Sequence, residues 1–203
     1  MAADGPSCAV IGAGAWGTTL ATLLSKAAPV TLMARDEAHA ATLRADGENR
    51  HYLPGVPLDD RISVTADPAA LTAATELVVF AVPSRAMRST AASVAPVLPG
   101  SAVLVSVAKG IEAGSLLRMT EVIASEVPGA AGRVAALSGP NLALEISRGL
   151  PAAAVVGAAH DEVSRRAVEI LGHRTFRLYR NQDIVGVELA GALKNIVAIV
   201  AGA

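Results

Sequence analysis

Short, nearly uninterrupted apolar runs that alternate with helix-compatible segments constrain this chain more than any other feature. Runs at residues 7–11, 30–33, 62–65, 77–82, 102–107, 134–137, 152–156 and 176–179 have strand length, and most lack the polar alternation of a sheet with one wet face. Helical patterns fill the gaps at 18–26, 37–45, 67–75, 84–94, 115–125, 141–147 and 161–171. Strands that are apolar on both sides need helices on both faces. The expected class is therefore α/β, a Rossmann-type, doubly wound and mainly parallel sheet. Local punctuation agrees: Pro29 stops the first helix, Gly47, Pro54, Gly55 and Pro57 mark a loop over 46–60, and Asp67-Pro68 reads as an N-cap followed by proline at the first helical position. On the 161–171 helix, Glu162 with Arg166 and Arg165 with Glu169 stand four apart and read as surface pairs.

From residue 183 onward the sequence DIVGVELAGALKNIVAIVAGA holds no turn signal and reads as one helix. Apolar residues surround its axis, the mark of a helix buried on all sides. Glu188 and Lys194 count against a membrane span. With no later residues to cover it, the expectation is a polypeptide cut off at Ala203 inside a second, helical domain. The expected division is a Rossmann domain over 1–181 and the first helix of an all-α domain over 182–203. An uncovered apolar surface also predicts a homo-oligomer.

Charge and cysteine usage exclude some classes. A net charge of −1 leaves no excess of Lys and Arg to neutralise phosphates, so nucleic acid is not expected as a partner. The lone Cys8 rules out an internal disulfide, fits a reducing compartment and reads as a core residue of the first strand. The N-terminus has no basic leader and is broken by glycines, which points to the cytoplasm rather than secretion. His39, His51, His160 and His173 are scattered without metal-ligand spacing, and no P-loop pattern occurs.

Gly12-Ala13-Gly14-Ala15-Trp16-Gly17 is a G-x-G-x-x-G placed directly after a strand and at the start of a helix. Gly12 permits the tight turn, Gly14 lets backbone approach a pyrophosphate, and Gly17 lets helix and strand pack closely. The free amides and the helix dipole then face the anion, which predicts dinucleotide binding. After the second strand come Arg35 and Asp36. An acidic group there serves the ribose of NAD and an arginine the 2′-phosphate of NADP. Arg35 stands first, which favours NADP over NAD, with a plain surface charge as the alternative.

Ligands of such sheets bind outside the carboxyl ends of the strands, so Ala108-Lys109-Gly110 and Ser138-Gly139-Pro140-Asn141 are expected to line the crevice. Lys109 reads either as a ligand contact or as a surface lysine. Lys194 sits within an apolar run. Burial of its ammonium would lower its pKa toward the range useful for proton transfer, and Gly191 one turn earlier would leave room for a substrate. The alternative is a lysine snorkelling to water at the crevice edge.

Five blocks, GAGAWGTTLA at 12–21, NRHYLPG at 49–55, AKGIE at 108–112, SGPNLALE at 138–145 and GVELAGALKN at 186–195, together resemble the bacterial-type NAD(P)-dependent glycerol-3-phosphate dehydrogenases in order and spacing. The resemblance implies reversible hydride transfer between a nicotinamide cofactor and dihydroxyacetone phosphate, giving sn-glycerol 3-phosphate for phospholipid synthesis. By the same resemblance, Ala15, Trp16, Arg35 and Ala143 meet the cofactor, Lys109 meets cofactor and substrate, and Gly139 and Asn141 touch the substrate. Lys194 would be proton acceptor in oxidation and donor in reduction. Leu142 stands where the family usually has Phe. The family also continues past the GALKN helix, into a part that supplies an acidic partner for the lysine and an Arg-Asn grip on the substrate phosphate. Cofactor binding with poor turnover is the resulting expectation for these residues alone. Two rivals are a related β-hydroxyacid dehydrogenase, weighed against by AKGIE and SGPN, and a non-catalytic dinucleotide-binding or interaction module.

Overall fold

A computed structural model describes residues 7–202; residues 1–6, the opening of the stretch read as leaderless, and Ala203, the expected break, lie outside it. Eight strands form one sheet: β1 (Cys8–Ile11), β2 (Val30–Met33), β3 (Ile62–Thr65), β4 (Leu77–Phe80), β5 (Val103–Ser106), β6 (Val134–Ser138), β7 (Ala152–Ala158) and β8 (Phe176–Asn181). Their spatial order is β3-β2-β1-β4-β5-β6-β7-β8. β1 pairs in parallel with both β2 and β4, Cys8 lying opposite Val30 on one side and Leu77 on the other. The order of winding therefore reverses across β1, and a crevice opens beyond its carboxyl end.

The period of two along each strand divides the core between the two faces. Cys8 and Val10 of β1, Leu77 and Val79 of β4, and Val103 and Val105 of β5 pack on one side. That side is covered by Leu20 and Leu24 of α1 (Ala15–Leu24), Leu43 of α2 (Glu37–Asp46) and Ala167 and Leu171 of α6 (Asp161–Leu171). Ala9, Ile11, Val78, Phe80 and Leu104 face the other way, against Met87 and Val94 of α3 (Met87–Val94) and Met119, Val122 and Ile123 of α4 (Met119–Glu126). Each fully buried aliphatic side chain contributes about 1.5–3 kcal/mol. Cys8 belongs to this core, and burial, reinforced by the charge of Glu76, pushes its thiol up to about 12.

Several local expectations need correcting. The first helix starts at Ala15, inside the glycine motif, since Gly14 is its N-cap. Asp67 does cap its helix by accepting from the amide of Ala69 at 2.9 Å, but Pro68–Ala73 winds as a 3-10 helix. No helix begins at residue 115. Glu112 and Leu117 bond across a loop, Leu116 takes φ +59°, and the helix starts at Met119. Arg165 holds both Glu162 and Glu169, whereas Arg166 leaves the helix to pair with Glu76.

Strand direction also departs from a uniformly parallel sheet. β7 runs antiparallel to β6, Ala136 lying opposite Gly157, and β8 runs parallel to β7. The connection from β6 contains the short α5 (Ala143–Ser147), whose first carbonyl accepts from Thr19 of α1. It therefore folds over α1 instead of crossing the sheet, and the next strand returns reversed. α7 (Ile184–Gly202) is continuous, as expected from the lack of turn signals, and is long and apolar enough to cross a membrane. Burial on all sides is not what it shows: Val187 and Gly191 are buried on β7 and β6, Glu188 is buried against Thr120, and Leu193, Ile196, Val197, Ile199 and Val200 are exposed.

Candidate cofactor and substrate site

The glycine motif performs three separable tasks. Gly12 takes φ +108°, and a Cβ there would lie 2.6 Å from the Ala81 carbonyl oxygen. At Gly17 a Cβ would fall 1.8 Å from the Gly12 carbonyl oxygen, so helix and turn touch because neither carries a side chain. Nothing lies within 4 Å of a Cβ built on Gly14, which faces open space. α1 has no side-chain cap and no acidic residue in its first turn, so its leading amides are free to meet an anion.

These amides open onto a cleft of about 960 Å³ at the carboxyl ends of the strands. Gly12, Gly14, Ala15, Trp16, Gly17, Arg35, Lys109, Gly139 and Asn141 all line it, which brings together residues far apart in sequence. Trp16 is steadied by an edge contact with Phe176, ring centroids 6.0 Å apart. Asn141 lines this region, and its Oδ1 is buried with no hydrogen-bond partner among the described residues. Ala143 lies outside the lining, its carbonyl occupied by Thr19 Oγ1 at 3.2 Å.

At the far side of the cleft from β2, Lys109 Nζ donates to the Gly139 carbonyl at 2.9 Å. A second cavity of about 380 Å³ shares Ser138 and Gly139 as a common wall and is lined on its other side by Gly191 and Lys194. Lys194 is exposed, which corrects its reading as a buried ammonium and matches the alternative, a lysine at the crevice edge. Lys109 is the lysine whose pKa is lowered, first by desolvation and then by the positive charge of Lys194 beside it. A Cβ on Gly191 would stand 2.6 Å from Ser138 Oγ, so the glycine seats α7 on β6 as well as lining the second cavity. A Cβ on Gly139 would be 2.9 Å from the Ala153 carbonyl oxygen, so it too packs backbone on backbone.

The β2 end carries the groups that bear on cofactor choice. Asp36 caps α2, its Oδ1 accepting from the His39 amide at 2.8 Å, while Oδ2 accepts from Arg35 Nε at 3.0 Å. Both oxygens are engaged and the Arg35 side chain is otherwise largely in solvent. His39 and Tyr52 also line the cleft, and His51 packs edge-on against Tyr52 at 4.4 Å between centroids. Burial, then the Arg35 charge, lowers the His39 pKa.

Sequence reasoning passed over three positions. Asn49 is buried and donates through Nδ2 to the Ala13 carbonyl at 3.0 Å and Thr18 Oγ1 at 2.7 Å, clamping the glycine turn. Its Oδ1 accepts from the Tyr52 amide at 3.3 Å, which delivers Tyr52 to the cleft. Glu188 is buried against the start of α4. The NRHYLPG block held the first two, and a glutamate within an apolar helical run was the signal for the third.

A doubly wound sheet with an uncapped, glycine-bounded helix terminus at its switch point defines a dinucleotide-binding protein of the Rossmann class. Comparison with known proteins narrows this. Residues 7–164 match the family model described as NAD-dependent glycerol-3-phosphate dehydrogenase N-terminus, and the chain belongs to that family. It is 48% identical to glycerol-3-phosphate dehydrogenase [NAD(P)+] of Moorella thermoacetica over 97% of this chain and 58% of that protein. The corresponding protein of Corynebacterium glutamicum is 45% identical over 97% of this chain and 59% of its own length. The crystal structure of glycerol-3-phosphate dehydrogenase from Coxiella burnetii superposes with a TM-score of 0.86 at 35% identity, covering 97% of this chain and 60% of that one. The chain thus spans a little under three fifths of the curated relatives it matches.

Proposed function

We propose that this chain provides the NAD(P)-binding half and the proton-donating amine of a glycerol-3-phosphate dehydrogenase, which interconverts dihydroxyacetone phosphate and sn-glycerol 3-phosphate. The observation that carries the proposal is the common wall at Ser138 and Gly139. It sets a cleft lined by free helix-terminal amides against a cavity lined by Lys194.

The residues present fit a dinucleotide. Gly14 leaves the space a pyrophosphate needs, the α1 amides supply donors to it, and Asn141, whose buried Oδ1 is unpaired among the described residues, lines the cleft farther along. A bound nicotinamide supplies or takes up the hydride. Lys194 Nζ gives its proton to the carbonyl oxygen in reduction and removes it from the hydroxyl in oxidation. Lys109, tied to the Gly139 carbonyl, places a second positive charge beside the oxygen on which negative charge develops. Trp16, braced by Phe176, walls the cleft against water.

Arg35 supports a preference for NADP. Its guanidinium retains free donors after the Asp36 contact, whereas both Asp36 oxygens are already engaged and poorly placed to take a ribose diol. Exposed Leu193, Ile196, Val197, Ile199 and Val200 support a homo-oligomer, and the lone buried thiol supports a cytoplasmic setting. Titrating NADPH and NADH against tryptophan fluorescence, then following dihydroxyacetone phosphate reduction, tests the whole reading. The expected result is tighter binding of NADPH, lost with Arg35→Ala, and, with the family's remaining C-terminal part present, turnover lost with Lys194→Met at unchanged cofactor affinity. Failure of both nucleotides to bind would overturn it.

A further inference from the structure

Glu188 lies in the second turn of α7 and is buried, 8% exposed. A carboxylate so placed is tolerated only where donors meet its charge, because desolvating an unpaired ion costs several kcal/mol. Three donors do so, all from one short stretch of chain: Arg118 Nη1 at 2.6 Å, the Thr120 amide at 2.9 Å and Thr120 Oγ1 at 2.6 Å. α4 begins at Met119, so the Thr120 amide is one of the N-terminal amides its own helix leaves unpaired, and Glu188 caps α4 from another element. Arg118 is fixed in turn, its amide and Nη2 donating to Glu121 at 2.9 and 2.7 Å. Among the described residues these are the only hydrogen bonds that a side chain of α7 makes to another element of the fold.

The two sides of this clasp lead to the two lysines. Upstream of Arg118, the chain runs back through the loop after β5 to Lys109. Downstream of Glu188, α7 runs through Gly191, seated on Ser138, to Lys194. Two ammonium groups beside one common wall repel each other, and neither lysine has an acidic partner among the described ion pairs. Their approach must be enforced from elsewhere. We propose that Glu188 is a positioning residue: with Arg118 and Thr120 it locks α7 to the loop after β5 and so holds the Lys194 amine next to Lys109 at the wall shared by the two cavities. The catalytic meaning of that placement rests on the proton-transfer reading of Lys194. The placement itself does not.

Reductive methylation with 13C-formaldehyde makes the test direct, because Lys26, Lys109 and Lys194 are the only side chains labelled. In the unsubstituted protein the Lys109 signal should titrate below the ordinary lysine range. Glu188→Gln and Thr120→Val, each checked for an unchanged circular dichroism spectrum, should raise the Lys109 midpoint by about half a pH unit or more, and Lys194→Met should raise it likewise. Loss of a nearby carboxylate charge would by itself lower a lysine midpoint, so a rise reports that the two amines have parted. A Lys109 midpoint unchanged or lowered in folded Glu188→Gln overturns the proposal. Should that variant not fold, the near-isosteric Thr120→Val decides alone, with the same sign. A raised midpoint together with dihydroxyacetone phosphate reduction that ignores Lys194→Met would leave the clasp standing and remove only the proton-transfer reading.

Discussion

Gly14→Ala and Gly17→Ala add the same methyl group three residues apart, and the surroundings dictate different outcomes. At Gly17 the new carbon would overlap the Gly12 carbonyl oxygen at 1.8 Å, so backbone must move, at a cost of about 3 kcal/mol or more. At Gly14 nothing stands within 4 Å, and stability should change by less than about 1 kcal/mol. Thermal melts are expected to separate the two, with Gly17→Ala clearly lowered and Gly14→Ala near the parent. NADPH titration of folded Gly14→Ala should nonetheless show affinity down about tenfold or more, since the methyl occupies pyrophosphate space, a loss of roughly 1.4 kcal/mol. A Gly14→Ala protein that binds NADPH normally would show that the phosphate lies elsewhere. These roles were legible in the sequence because spacing alone encodes them. Asn49 was not, because its bonds to Ala13 and Thr18 span more than thirty positions and nothing in a polar loop marks which amide turns inward.

The segment between β5 and α4 is held by charges rather than by packing. Arg88 of α3 grips Glu112 through Nε at 2.9 Å and Nη2 at 2.7 Å, and it also pairs with Glu126 at the end of α4. The Arg88 guanidinium, helped by the Ser115 hydroxyl, draws the Glu112 carboxyl down from 4.5 to about 2. A depressed folded-state pKa contributes stability that is complete above the unfolded value and is lost as pH falls through the folded one. The stability gap between the parent and Glu112→Gln should therefore be constant above about pH 5.5 and close between pH 4.5 and 2, as read from urea melts at each pH. A gap that persists unchanged at pH 2.5 would show that the carboxylate charge is irrelevant to it. The same contacts explain why a helix was expected too early here. Ser115 looked like a helix start, yet its hydroxyl is spent on Glu112 at 2.5 Å. Reversal of β7 was equally hidden, since an apolar run reads the same in either direction.

At the scale of the whole molecule, the layered, mainly parallel sheet and the gathering of Lys109, Gly139 and Asn141 with the glycine turn at the strand ends followed from the alternation of runs, whereas the strand order, and with it the switch point beside β1, did not. The sequence did not distinguish a helix buried all round from one buried along its first turns, because both are apolar throughout. The exposed residues of α7 lead to a prediction about association. Light scattering at rising concentration should show growth in mass for the parent, and less for Ile196→Glu with Ile199→Glu, two residues 59% and 71% exposed. A monomer at all concentrations would count against that role for the helix. Among the described residues, the clasp at Glu188 fixes α7 near one end, as a lever is fixed at its root. Lys194 stands one turn past Gly191. Whatever packs on the later turns therefore acts on the aim of the amine through the helix itself, without touching the nucleotide pocket.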